Sequence, residues 1–260
     1  MPTLALRHIA MATKKPLRRK IVGALSYVFL VVFCVLSTVA AVRLYSTYKV
    51  KDAGCELRAL KGSVEDSGES VEWEHELLAV NEDFAGWLTV YGTSIDAPVV
   101  KGEDNAEYLH KDFYGEYSPA GTLFLDETVD PASEKGNKIV YGHMMADGTM
   151  FGSLKQYKHS EFFLENNIIR WEDRFGTSYY KLFAALIVSG STTNTNYLNI
   201  QQWAGKLNEA EAQEMLEVLK NRAFLYKEDL FRGEGDYIFL VTCESSQYQG
   251  KLILVGEKLD

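Results

Sequence analysis

Two side-chain types in this sequence can carry covalent or proton-transfer chemistry at neutral pH: three cysteines and five histidines. Cys243 closes the apolar run Tyr237–Thr242 (YIFLVT) and is followed by the polar Glu244-Ser245-Ser246-Gln247. A residue at a strand end is fixed by rigid structure yet open to a cleft, which suits a nucleophile. The competing reading is a small apolar core residue, since free cysteine is among the most buried types. A nucleophilic cysteine needs an acid–base partner. His8 precedes a long apolar span, His75 lies in the charged stretch WEHE, and His159 lies in a polar helical stretch. His110 and His143 remain. His143 follows the apolar run Lys138–Tyr141 and a glycine, so it too belongs at a strand end. Spacing alone leaves both the Cys243–His143 pair and the core cysteine open.

Other chemistries find no support in the sequence. There is no P-loop, no dinucleotide-binding glycine fingerprint and no HExxH. Asp126, Glu127, Asp130 and Glu134 are clustered but lack the alternating ligands and central glycine of a calcium loop, so they read as solvated surface. Three cysteines cannot build a disulfide framework or a four-cysteine zinc site. No metal and no cofactor is expected.

The elements that must position these residues begin with a membrane anchor. Ile21–Val42 is uncharged for 22 residues, and about 20 apolar residues span a bilayer as a helix. Lys14, Lys15, Arg18, Arg19 and Lys20 stand just before it, which places residues 1–20 in the cytoplasm and residues 44–260 outside. A cleaved signal peptide is the alternative, although its apolar region is shorter and the small residues Val39-Ala40-Ala41 are its only support. Eight of the 27 Lys/Arg and none of the 36 Asp/Glu fall in residues 1–50. The remainder is therefore strongly acidic, which argues against nucleic-acid binding. Cys34 lies inside the span; a Cys55–Cys243 disulfide stays open outside it. Residues 43–70 read as a stalk and linker, and 71–260 as the folded domain.

Within that domain, helical spacing is expected over Val71–Val80. Eight short apolar or alternating runs follow: Trp87–Val90, Ile95–Val100, Thr122–Leu125, Lys138–Tyr141, Ile168–Glu172, Tyr179–Ser189, Tyr237–Thr242 and Leu252–Val255. Turn residues separate them, so the class is mainly β, a sandwich or a barrel, and eight strands suffice to close a barrel. One helix interrupts the late strands. Asn208 with Glu211 makes a capping box, and Ala212, Met215, Leu216 and Leu219 share a face. A connection of that size usually shapes or covers a site.

Several segments resemble class B sortases. The segment IDAPVVKGEDNAEYLHKDFYGEYSPAGTLFLDE (Ile95–Glu127) is similar across its length, and NKIVYGHMMADGTMFGSLKQY (Asn137–Tyr157) carries the Gly-His pair of the catalytic histidine. FLVTC (Phe239–Cys243) resembles the signature around the nucleophile, and the helix at 208–222 resembles the one between strands six and seven. The resemblance implies an eight-stranded closed sortase barrel with N-terminal helices. It implies a cysteine transpeptidase that cleaves a C-terminal sorting signal after Thr and hands the protein to an amine of the cell wall or of a pilin. Cys243 would be the nucleophile, His143 the acid–base residue, and Thr242 and Glu244 would line the substrate groove. The family's arginine after the cysteine falls here on Lys251. Lysine keeps the charge and loses the planar fork of donors. That departure implies reduced activity, a shifted substrate preference or a role passed to another residue, and two readings stand: an active sortase, or a membrane-anchored module that recognises sorting signals without efficient catalysis.

Overall fold

The computed structural model describes residues 3–65, 72–233, 235–244 and 250–259, with Cys243 and Glu244 entering by their backbone. The expected linker residues 66–70 and the polar run Ser245–Gln249 lie outside them. The chain divides into two compact units, Met1–Lys49 and Val50–Asp260.

Helix α1 (Thr3–Glu65) contains the expected span. Among the described residues, Val22–Gly62 is the one helical stretch long and apolar enough to cross a membrane. Apolar side chains of its first part, Phe29 and Leu36 among them, are exposed rather than packed in a core.

The second unit takes in the end of α1, where a stalk was expected: Leu57 and Lys61 are buried. The Lys61 ammonium lies 5.0 Å from the ring centroids of both Trp73 and Trp87 and pairs with the buried carboxylate of Glu172. Helix α2 (Glu72–Val80) follows the expected spacing. Trp73 and Leu77, four residues apart on one face, are buried, whereas Val80 is exposed.

Strands β1 (Phe84–Val90), β2 (Asp96–Val100), β3 (Leu123–Leu125), β4 (Lys138–Tyr141), β5 (Ile168–Asp173) and β6 (Gly176–Ser189) are all at expected positions. A two-residue strand β7 (Leu225–Tyr226) was not foreseen; among the described residues it pairs with β6 alone. Strands β8 (Tyr237–Glu244) and β9 (Gly250–Lys258) run longer than expected, because each continues the other's ladder from Tyr237↔Glu257 to Glu244↔Gly250. The order β5-β1-β2-β3-β4-β8-β9-β6 is closed by pairing of β5 with β6, which makes an eight-stranded closed barrel with β7 as a short flap. Closure leaves those eight strands no free edge.

Alternation along β8 and β9 explains their continuous apolar runs. Ile238, Leu240, Leu252 and Leu254 fill the barrel interior. Tyr237, Phe239, Val241, Ile253 and Val255 pack outside with Met215 and Leu219 of helix α4 (Glu209–Arg222). A strand buried on both faces has no polar positions to alternate. Asn208 caps α4 as expected: Glu211 N–H donates to its side chain at 3.0 Å, and the Glu211 carboxylate accepts from Asn208 N–H at 2.9 Å. Between β4 and β5 lie an eight-residue 3-10 segment (Phe151–Lys158) and the short α3 (Ser160–Glu165).

Candidate active site

Two sheet registers assemble the site. β4 and β8 run parallel with Tyr141 opposite Val241. The ladder continues as Gly142 N–H donates to the Val241 carbonyl at 3.2 Å. Two residues beyond the last pair stand His143 on one chain segment and Cys243 on the other, so parallel pairing brings both to the same barrel edge. β8 and β9 run antiparallel, and Lys251 is the direct register partner of Cys243. Cross-strand partners share one face of the pleat.

Local structure then fixes His143. A Cβ on Gly142 would lie 2.4 Å from Leu123 Cδ2 and 2.9 Å from Phe151 Cδ2, so only glycine lets the chain turn there. The His143 carbonyl accepts from Met145 N–H (3.1 Å) and Phe151 N–H (2.9 Å), which folds the following loop back on itself. His143 Nε2 lies 2.8 Å from the Leu109 carbonyl. A carbonyl only accepts, so Nε2 carries a proton and the neutral ring keeps its lone pair on Nδ1. The His110 ring stacks on His143 with centroids 5.6 Å apart and planes 18° apart. His110 is itself exposed and lies beside His143, with the Tyr117 ring beyond it at 6.3 Å and tilted by 39°.

A cleft of about 300 Å³ opens at this edge. Its lining joins His143, Thr242 and Lys251 to Asn105, Leu109 and Tyr141. Thr242 is buried, and its Oγ1 has no hydrogen-bond partner among the described residues. A buried hydroxyl without a partner costs free energy unless a ligand supplies one. Glu244 pairs in register with Gly250, at the rim beyond Cys243. A larger polar groove of about 990 Å³ lies at the far end of the barrel, by Asn137 and Asp236, and has no cysteine or histidine among its described lining residues.

The polar floor of the cleft rests on Asp126, which contradicts its reading as solvated surface. Glu127, Asp130 and Glu134 are exposed as expected, but Asp126 is fully buried. Its carboxylate accepts from Tyr141 Oη (2.9 Å), Gln201 Nε2 (3.0 Å), Asn105 Nδ2 (3.1 Å) and Thr128 N–H (2.9 Å). Burial pushes this carboxyl up, but the hydrogen bonds from Thr128, Tyr141 and Gln201 outweigh it and hold it below its ordinary value. Burial and the adjacent Asp126 charge push the Tyr141 hydroxyl far up, so it stays a donor. Asn105, Tyr141 and Gln201, which the sequence reading did not single out, are thus three cleft residues tied to one anion. Gln201 sits on the 3-10 turn Gln201–Trp203. The connection between β6 and β8 therefore shapes the cleft through this turn, while α4 covers the barrel wall.

Comparison with known proteins agrees with this geometry. The sortase domain family matches residues 88–259. Sortase B of Staphylococcus aureus is 28% identical over 183 residues, 70% of this chain and 72% of that protein. A mutant form of Clostridium perfringens sortase B superposes with a TM-score of 0.69 at 25% identity, covering 80% of this chain and 97% of that one. A Streptococcus pyogenes class B sortase involved in pilus biogenesis is 31% identical with a TM-score of 0.60, covering 71% and 97%. With a matching barrel and a matching domain, the chain belongs to the sortase family of cysteine transpeptidases, among its class B members.

Proposed function

We infer that this sortase is anchored by residues 21–42, with 1–20 in the cytoplasm, 43–70 leading out of the bilayer and the catalytic domain over 71–260 outside the cell. Its substrates are secreted proteins bearing a C-terminal sorting signal cut after Thr. The observation that carries the catalytic reading is the parallel β4–β8 register, which sets His143 and Cys243 at one edge beside a cleft.

In this reading the Cys243 thiolate attacks the carbonyl carbon of the signal's Thr. The C–N bond breaks, and the departing amine takes a proton from the His143 imidazolium. A thioester remains on Cys243. The incoming amine of the cell wall then attacks that carbonyl, gives a proton back to His143, and expels the thiolate. One hard amide exchange becomes two easier steps. The Lys251 ammonium stabilises the thiolate and the developing oxyanion. Thr242 offers its unpartnered hydroxyl to the bound peptide, and Glu244 borders the groove. No cofactor or metal takes part. Pilin polymerisation is the second reading, favoured by the 31% identity to the pilus-associated relative; it changes the acceptor amine and leaves the first step as it is.

The experiment mixes the full chain in detergent with peptides carrying Thr-containing sorting signals and weighs the protein. A mass increase on Cys243, abolished in Cys243→Ala and lost almost as fully in His143→Ala, is expected. Removing one member of a catalytic set commonly costs orders of magnitude. Transfer by Cys243→Ala would sink the assignment, and transfer by His143→Ala would move the acid–base role to His110. Protease added to intact cells should remove the domain and spare the N-terminal stub; a protected domain would reverse the topology.

A further inference from the structure

The resemblance to class B sortases implies an arginine at the position of Lys251, and a lysine lacks the fork that would hold its charge in one place. The structure contains a different device. The Lys251 Nζ lies 5.8 Å from the centroid of the Tyr141 ring. Tyr141 ends β4, Lys251 lies in β9, and β8 runs between them. Neighbouring strands are about 4.8 Å apart, so to reach that ring the lysine side chain must cross β8, the strand that bears Cys243. The ring is itself held from two sides. Its hydroxyl donates to the buried Asp126 carboxylate at 2.9 Å, and Phe124 packs against it with centroids 5.4 Å apart. Donation to an anion enriches the ring's electron density, and the face of an electron-rich ring attracts a cation.

We propose that Tyr141, locked by Asp126 and Phe124, is the positioning residue that seats the Lys251 ammonium across β8 beside the nucleophile's strand. An aromatic face thereby does for a point charge what bidentate hydrogen bonds do for a guanidinium. Tyr141 acts through Lys251 and need not touch the reacting atoms. The inference rests on the reading of Lys251 as the cation that favours the Cys243 thiolate, and its test needs no knowledge of the sorting motif.

The test is the rate at which iodoacetamide alkylates Cys243 at neutral pH, measured on the full chain in detergent by mass of the Cys243 peptide. Lys251→Ala and Tyr141→Leu should each slow it by roughly two- to thirtyfold, the scale of a cation–π contact from exposed to desolvated. The double variant should be no slower than the slower single one. Tyr141→Phe, which keeps a ring, should retain most of the rate. In lysine-labelled wild-type protein, the Lys251 Hε resonance should lie upfield of the other lysines through the ring current, a readout that requires no variant of Tyr141 to fold. Multiplicative losses in the double variant, a wild-type rate in Tyr141→Leu, or an unshifted Lys251 resonance would each overturn the seat. A wild-type rate in Lys251→Ala would overturn it too and remove Lys251 from the proposed mechanism. Failure of every sorting peptide to acylate Cys243 would strike the substrate reading and leave these outcomes untouched.

Discussion

Asp126 is the residue whose removal tests the cleft's construction most directly. It is fully buried, and Tyr141, Gln201, Asn105 and Thr128 all donate to it. Hydrogen bonds to a charged group contribute about 1.5–3 kcal/mol each, but they share one carboxylate and do not add. Asp126→Ala leaves five donor groups without their acceptor, Thr128 supplying two of them through its N–H and its hydroxyl, and breaking a buried charged network of this kind costs about 3–5 kcal/mol. For a domain of this size each kcal/mol moves the melting temperature by about 2–4 °C, so a fall of roughly 6–20 °C is expected. Asp126→Asn keeps one acceptor oxygen and turns an amide toward the other donors, so it should cost less than Ala. The pH dependence has a definite sign. The folded carboxyl titrates below its ordinary value of 3.8, so the unfolded chain takes up the proton first as pH falls. The stability Asp126 contributes is therefore present above that ordinary value and is lost as pH drops through it toward the lower folded value. Thermal unfolding of the full chain in detergent, repeated from pH 7 down to about pH 3, reads both effects. The gap between wild type and Asp126→Ala should be widest near neutrality and narrow in acid. A variant that melts within a degree or two of wild type at pH 7, or a gap that widens in acid, would refute the role given to this network.

Lys61→Ala removes the cation held between Trp73 and Trp87 and strips Glu172 of one of its two basic partners, Arg170 remaining at 3.1 Å. Denaturant unfolding should show a loss of about 3 kcal/mol, the lower end for an uncompensated buried charge, and an unchanged midpoint would refute it. Gly142→Ala places a methyl 2.4 Å from Leu123 and 2.9 Å from Phe151, so either those buried side chains or the chain just before His143 must shift. Acylation by a sorting peptide should fall at least about tenfold, because small misplacements of a catalytic group cost that much or more; an unaltered rate would show that the histidine is not held by this turn. Asn208→Ala removes the capping box of α4, whose residues do not line the cleft. Stability should drop by about 0.5–2 kcal/mol with the acylation rate unchanged, and a slowed rate would mean that α4 reaches the site after all.

What the sequence revealed and what it concealed follow one physical rule. β8 was legible because both of its faces are buried, which makes Tyr237–Val241 apolar throughout, and α4 because its cap and its apolar face are both local patterns. The place of His143 just past a strand end was legible because the glycine before it and the strand before that are adjacent in the chain. Asp126 was not: its neighbours Glu127, Asp130 and Glu134 are solvated, and its burial depends on Gln201, 75 residues away, and Asn105, 21 residues away. Lys61 was concealed in the same way, since its carboxylate partner Glu172 is 111 residues distant. β7 is two residues long and owes its existence to β6. In each case the side chain's type was ordinary for its local surroundings, and only a distant partner changed what it does. Charged residues in an acidic or polar context are read as surface because burying them alone is prohibitive. A chain that buries them anyway must spend distant residues to satisfy them, and those residues are then fixed in place. Asp126 fixes Tyr141, Asn105 and Gln201 around the cleft in this way, so the groups that local sequence conceals are here the ones that hold the site's geometry.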